Sequence, residues 1–201
     1  MKGNVYTLFY AAALGTICAM VLTFAASFTA PYKKANAEAE EVKNILLALN
    51  VSIPESASSE ELLKIYKENV QEQKRGSITI YSYSAPGKPG AIAMRFAGPG
   101  LWGPVKGFLA LDPKITKIQG ITFYEQEETP GLGGEIVTPS FRNKFVGLSI
   151  RDAAGNPGII IKSGGESAPN KVDGISGATM TCDKVQEMLN EAIRSIVEEK
   201  Q

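Results

Sequence analysis

An uncharged, apolar run near the N-terminus constrains this chain more than any other feature. No charged residue occurs between Gly3 and Tyr32, and Val5–Ala30 consists of apolar or small residues. A helix rises about 1.5 Å per residue, so this run can cross a hydrocarbon core of about 30 Å. The alternative, a cleaved secretory signal, has an apolar region of only about 7–15 residues. The sequence therefore predicts a retained membrane anchor at residues 1–33, with a transmembrane helix at about 5–30.

The lysines that flank this run predict its orientation. Lys2 precedes the run, whereas Lys33, Lys34 and Lys43 follow it. Because loops rich in lysine and arginine tend to stay in the cytoplasm, a literal count places the C-terminal domain on the cytoplasmic side. The margin between the two flanks is small, and the family resemblance described below implies the opposite orientation.

The composition excludes several classes of chemistry. The chain has no histidine and only two cysteines, Cys18 and Cys182. It therefore lacks a Ser-His-Asp or Cys-His pair and an axial histidine for haem, and two cysteines are too few for an iron–sulfur cluster or a structural zinc site. Neither catalytic side chains nor metal ligands are predicted, so redox chemistry would require an organic cofactor. Beyond residue 34, 18 basic residues face 21 acidic ones, which argues against nucleic acid as a partner.

Hydrophobic periodicity predicts a helical linker region at residues 34–75. Apolar residues recur with a helical period from Val42 to Leu49. Ser58 and Glu61 form a capping-box pattern, which predicts a second helix that continues to Val70.

Residues 76–201 are predicted to form the globular domain. Its segments of strand-like alternation are Ser77–Ser84, Ala91–Ala97, Val105–Leu111 and Ile115–Glu125, followed by a short buried strand at Gly158–Lys162. Val137–Leu148 has a helical pattern, and Val185–Ile196 forms the apolar face of an amphipathic helix. This order predicts an α+β fold with a mostly antiparallel sheet and flanking helices.

Three glycine-containing motifs are candidates for the functional site. The first, Gly98–Gly103, matches G-x-G-x-x-G, but a strand rather than a helix follows it, and Pro99 and Pro104 remove backbone donors. A dinucleotide site is therefore not expected. The motif instead predicts a hairpin connection that carries the Leu101–Trp102 pair, with Trp102 as a candidate flat contact surface for a ligand.

The second motif is Glu128–Glu135, which reads ETPGLGGE. Its Pro-Gly step is typical of a turn, and its paired glycines allow the backbone to approach a flat ligand closely. Thr129 and nearby amides could donate hydrogen bonds to a heterocycle. On composition alone, an ordinary loop between a strand and a helix is the favoured interpretation of this motif.

The third motif, Asp173–Thr181, reads DGISGATMT and leads into the last amphipathic helix. A helix N-terminus favours a phosphate through its free N–H groups and the aligned peptide dipoles. One hydroxyl would suffice as a helix cap, but Ser176, Thr179 and Thr181 supply three. The motif therefore predicts a phosphate site without saying whether the phosphate is bound covalently.

With these motifs, the chain resembles the family of FMN-binding subunits that occur in the Na+-translocating NADH:quinone oxidoreductase and in the Rnf electron transport complex. The resemblance covers the anchor and the stretches GPGLWGPVKGFLALDP, ITFYEQEETPGLGGEI and KVDGISGATMTCDKVQ. Rnf members often have a histidine before the second motif, where this chain has Gln126, and this difference favours the Na+-translocating branch.

The resemblance implies a cofactor and residues that hold it. FMN would be bound covalently as a phosphoester of Thr181, making the chain a phosphoprotein, and a separate flavin transferase would install it. The transferase would recognise the third motif, and other residues would line the flavin or its phosphate. The implied cofactor-binding set is Asp173, Gly174, Ser176, Gly177, Ala178, Thr179, Glu128, Thr129, Gly131, Leu132, Gly133 and Lys162, together with Trp102.

The resemblance also implies a function and a location. The chain would be a one-electron carrier in an ion-translocating, sodium-transporting oxidoreductase complex of the inner membrane, active only with partner subunits. Its FMN domain would lie on the periplasmic side of a single-pass anchor. Two alternatives are a free-standing membrane-anchored flavin reductase and a non-catalytic assembly or binding module.

Overall fold

The computed structural model describes residues 2–76, 78–84 and 90–199. Its contacts define two compact units, Met1–Ala39 and Glu40–Gln201. The helices and strands are α1 (Lys2–Ala48), α2 (Ser59–Asn69), β1 (Val70–Arg75), β2 (Ile78–Tyr83), β3 (Ala91–Pro99), β4 (Pro104–Leu111), β5 (Ile118–Glu125), α3 (Pro139–Arg142), β6 (Ile160–Ile161), β7 (Lys171–Val172) and α4 (Thr179–Glu198), with 3-10 turns at Gly133–Val137 and Asn143–Phe145.

Helix α1 is long and apolar enough, by length and composition, to cross a membrane. Its first part exposes large apolar side chains, including Phe9, Leu22 and Phe24. Pro31 stands inside the helix without ending it, so the apolar run and the predicted helix at 42–49 are parts of one helix. The predicted domain bounds of 1–33, 34–75 and 76–201 stay a prediction.

The central sheet confirms the predicted fold class. Its five strands lie in the order β1-β2-β3-β4-β5, and each pairs antiparallel with the next. Strands β6 and β7 form a separate parallel pair. The pairings Pro99↔Pro104 and Lys106↔Glu125 bring the β3–β4 turn and the loop after β5 to the same end of the sheet. This register positions the first two motifs side by side.

Each face of the sheet is covered by its own hydrophobic core. On one face, α4 packs through Val185, Leu189 and Ile193 against strand residues such as Leu109. On the other face, α2 and residues from Val42 onward in α1 pack around Phe108 in β4, and these residues belong to the second core cluster. The alternation of side chains along each strand explains how one sheet supports two cores.

Two predicted elements differ from the structure. Val70 is the first residue of β1 rather than the last of a helix, because strand β1 pairs with β2 along its whole length. The predicted helix at Val137–Leu148 is only the single turn α3 followed by a 3-10 turn, although Pro139 does occupy the start of α3. Phe141 and Phe145 are both buried here, so the packing of these two side chains, and not a long helix, fixes the position of the segment.

Candidate functional site

Thr181 lies in the first turn of α4 and is the centre of the candidate site. The residue is only 2% exposed. Its hydroxyl donates a hydrogen bond of 2.6 Å to Oε2 of Glu128, a residue 53 positions earlier in the chain. The contact joins the second and third motifs of the sequence.

Glu128 is held by the backbone of the β3–β4 turn. Its Oε1 accepts hydrogen bonds from the N–H groups of Leu101, at 2.7 Å, and Trp102, at 3.2 Å. Its own N–H donates to Oε1 of Gln126 at 2.6 Å. The residue is 5% exposed, and such burial is tolerated because both carboxylate oxygens accept hydrogen bonds. The first motif thus orients the second through main-chain donors. As predicted, strand β4 follows Gly103, and not the helix that a dinucleotide-binding motif requires.

The loop after β5 folds tightly around Thr129. The main-chain oxygen of Thr129 accepts from the N–H of Leu132, at 3.1 Å, and from that of Gly134, at 2.9 Å. Gly131 has a φ of +76°, a left-handed conformation that favours glycine. This turn brings Gly133 directly against the Glu128–Thr181 hydrogen bond.

Gly133 leaves room at the hydroxyl that any side chain would fill. A Cβ on this residue would lie 2.5 Å from Oγ1 of Thr181 and 2.7 Å from Oε2 of Glu128. The space beside the buried hydroxyl therefore depends on this glycine.

We expect Gly133→Ala to destabilise the folded chain by about 1–3 kcal/mol, the usual cost of forcing extra atoms into a packed site. Urea denaturation of the full chain in detergent, followed by circular dichroism, measures this loss. Gly134→Ala is the matched control, because the atoms nearest to its Cβ would be main-chain atoms of Glu128 and Thr129, at 3.1 Å or more. Equal stability of the Gly133→Ala variant and wild type would contradict the crowding argument.

Large apolar side chains form an exposed rim around the buried pair. Trp102, Met180 and Leu132 are 70%, 61% and 44% exposed, respectively. Gly177 adopts a φ of +77°, and a Cβ there would lie 3.1 Å from Cδ2 of Leu132, so the second and third motifs also meet at this point. A flat apolar ligand could contact this rim.

The other hydroxyls of the third motif do not act as helix caps. Ala178 is the N-cap residue of α4, and no side chain among the described residues makes a capping hydrogen bond there. Ser176 and Thr179 leave the cap position to this alanine, although both lie within three residues of it. Because no capping side chain occupies them, the N–H groups of the first turn of α4 could bind an anion.

The remaining predicted residues lie beside this centre. Asp173 faces Lys144, whose Nζ is 3.2 Å from the main-chain oxygen of Asp173 and 4.0 Å from its carboxylate. Lys162, Gly174 and Thr179 line a cleft of about 430 Å³ along the start of α4. The structure therefore places Lys162 next to the third motif.

Cys182, the neighbour of Thr181, is a structural residue. It is buried, and the N–H of Ile175 donates to its Sγ at 3.4 Å. Burial raises the pKa of the Cys182 thiol, and the thiol therefore stays protonated at neutral pH. Of the adjacent hydroxyl and thiol, Thr181 is the one that donates to a carboxylate.

Three contributors to the site were not among the predicted cofactor-binding residues. The N–H of Leu101 reaches Glu128 because strand register brings the two together, whereas the side chain of Gln126 accepts from the N–H of Glu128 within the same loop. Gly100 lies equally close, since a Cβ there would be 2.5 Å from Oε1 of Glu128. The proline-flanked glycines of the first motif were the sequence signal that indicated a close approach between the backbone of this turn and another group.

The geometry defines a class of protein. A buried hydroxyl in contact with a carboxylate, at an uncapped helix N-terminus with an apolar rim, suits a ligand that combines a phosphate with a flat ring system. A family profile described as the FMN-binding domain matches residues 100–194, which include all of these groups. The chain thus contains an FMN-binding domain.

Comparison with individual proteins narrows the class. The NqrC subunit of the Na+-translocating NADH-quinone reductase of Vibrio anguillarum is 30% identical over 220 residues, covering 90% of this chain and 86% of the relative. The same subunit of Yersinia pestis is 42% identical over 106 residues, covering 52% of this chain. The crystal structure of the Parabacteroides distasonis subunit superimposes with a TM-score of 0.71 at 30% identity, covering 84% of this chain and 94% of that one.

The chain therefore belongs to the NqrC family of Na+-translocating NADH-quinone reductase subunits. Its matched region spans about 40% of the length of the Yersinia relative and 39% of that of two Neisseria meningitidis relatives.

Proposed function

We propose that this chain is the flavin-carrying subunit of a Na+-translocating NADH-quinone reductase complex. It would hold FMN as a phosphoester on Thr181, installed by a flavin transferase, and pass single electrons between neighbouring subunits. The observation that carries the proposal is the buried Thr181 hydroxyl, 2.6 Å from the Glu128 carboxylate, within the matched FMN-binding domain.

The residues around Thr181 fit such a group. The first turn of α4 offers backbone N–H groups to a phosphate, and Gly133 leaves space at Oγ1 that a Cβ would fill. The exposed apolar side chains of Trp102, Leu132 and Met180 would contact the flavin ring. Lys162 and Lys144 supply positive charge near the third motif.

Bound FMN would supply reversible electron transfer, and the protein would bind it, orient it and tune it. This division of labour suits a chain without histidine, because no side chain has to relay protons at neutral pH. A phosphoester also keeps the cofactor attached regardless of its free concentration. The residues of the site would then bind and orient the FMN, and the electron transfer would take place on the cofactor.

We further propose that α1 anchors the chain in the inner membrane, with the FMN domain on the periplasmic side. The length and apolar composition of α1 support the anchor. The lysine count favours the other orientation only by a small margin, and the family resemblance outweighs it. A reporter fused after Gln201 that is active only outside the cytoplasm is the expected result, and activity only inside would refute this orientation.

Covalent attachment is tested by the intact mass of the full chain co-expressed with a flavin transferase. We expect a mass increase equal to FMN less water, and yellow fluorescence that survives denaturing electrophoresis. Full reductase activity of the isolated chain on a small acceptor would instead favour a free-standing reductase. An unmodified mass would refute covalent attachment and would be compatible with an assembly or binding module.

A further inference from the structure

The hydroxyl of Thr181 is covered as long as it donates to Glu128. Thr181 is only 2% exposed, and Gly133 lies so close that a Cβ there would be 2.5 Å from Oγ1. A transfer reaction needs the acceptor oxygen and the donor phosphorus about 3–3.5 Å apart. A phosphate donor held in the active site of a separate protein cannot come that close to Oγ1 in this conformation.

The Glu128 side of this contact is firmly held. Oε1 of Glu128 accepts hydrogen bonds from the N–H groups of Leu101, at 2.7 Å, and Trp102, at 3.2 Å, in the turn between β3 and β4. The N–H of Glu128 donates to the side chain of Gln126 at 2.6 Å. These hydrogen bonds do not involve Thr181, so they keep Glu128 in place when the hydroxyl moves away.

The Thr181 side of the contact is held more weakly. Ala178 is the N-cap residue of α4, and within the described part of the chain no side chain makes a capping hydrogen bond there. The side chain of Met180 is exposed, and the Sγ of Cys182 accepts a single long hydrogen bond of 3.4 Å. Beyond Cys182, the apolar side chains that pack α4 against the sheet begin at Val185. Helix ends of this kind open at a lower free energy than the packed centre of a helix.

We propose that the flavin transferase acts on a conformation in which the first turn of α4 is unwound. In this open conformation the hydrogen bond between Thr181 and Glu128 is broken, and residues 173–182 form an accessible acceptor segment. The helix from Val185 onward stays packed on the sheet. Glu128 therefore stabilises the closed conformation, in which the hydroxyl is covered. This inference rests on the proposed covalent attachment and identifies the form of the third motif that the transferase binds.

The open conformation has a kinetic consequence. The apparent affinity of a partner that binds only one conformation is reduced by the fraction of the chain in that conformation. Removing the acceptor of the Thr181 hydroxyl raises the open fraction, because the closed conformation loses a buried hydrogen bond. Attachment should then become faster, whereas the loss of a recognition, binding or catalytic contact would make it slower.

Attachment kinetics on the full-length apoprotein in detergent, with purified flavin transferase and flavin adenine dinucleotide, test the proposal. For Glu128→Ala we expect kcat/KM for the apoprotein to rise about fivefold or more. An unchanged or lowered kcat/KM would overturn the opening. Glu127→Gln is the control, since it alters the adjacent, exposed side chain, and it should react at the wild-type rate. Wild-type chain that gains no flavin would instead refute the attachment itself.

A second measurement needs no variant and decides the matter if Glu128→Ala fails to fold by circular dichroism. In residue-resolved hydrogen–deuterium exchange of the wild-type apoprotein, we compare two amides of α4, each corrected for its intrinsic rate. The N–H of Cys182, which donates to the oxygen of Ala178 at 3.0 Å, should exchange about tenfold faster or more than that of Leu189, a buried residue further along the helix. Equal protection of the two amides would overturn the opening of the first turn.

Discussion

Replacing Thr181 with valine is expected to abolish covalent flavin attachment while leaving the chain folded. Valine has nearly the same shape as threonine but offers no oxygen to a phosphate. The change also leaves Oε2 of Glu128 without its donor, at a cost of about 1–3 kcal/mol for an unsatisfied buried group. Intact mass after co-expression with the transferase should show unmodified protein, and denaturing gels should show no fluorescence.

One control for this variant removes a hydroxyl outside the three motifs. Thr138→Val loses the hydroxyl that donates to the main-chain oxygen of Glu135 and should still gain the flavin mass. Thr181→Ser keeps an attacking oxygen at the same position and should be modified, at a reduced rate. A flavin mass on Thr181→Val would place the attachment at another residue.

The second large effect concerns the hydrophobic core on the face of the sheet that α2 and the end of α1 cover. Phe108 is fully buried, its ring meets that of Tyr81 edge-on at 5.6 Å, and it stacks with that of Tyr124 at 5.4 Å. Phe108→Ala should lower the free energy of unfolding by about 3–5 kcal/mol, because it removes buried apolar surface and leaves a cavity. Urea denaturation followed by circular dichroism provides the measurement.

Phe108→Leu is the control, because it keeps most of the volume and should cost clearly less than the alanine variant. Neither change touches Glu128 or Thr181, since Phe108 belongs to the cluster formed with α2 and the end of α1. Protein that remains folded should therefore accept flavin at the wild-type rate. A loss in Phe108→Ala no larger than that in Phe108→Leu would contradict the cavity argument.

Much of the architecture could be predicted because its signals are local. The capping box of Ser58 and Glu61 starts α2, and the apolar face from Val185 to Ile196 lies within α4. The predictions were wrong where contacts between distant residues determine the local structure. Val70 fits a helical period, but it belongs to β1 because it pairs with Tyr83. Residues 137–148 have a helical pattern but pack as short turns around two buried phenylalanines.

The sequence by itself determined the apolar run, the α+β fold class and the three motifs that carry the family resemblance. These depend on hydropathy and on hydrogen bonds between residues near one another in the chain. Only the tertiary structure decided that the motifs form one site, because antiparallel register brings the amides of Leu101 and Trp102 to Glu128, and the packing of α4 brings Thr181 to the same carboxylate. Contacts between residues so far apart depend on how whole strands and helices pack against one another.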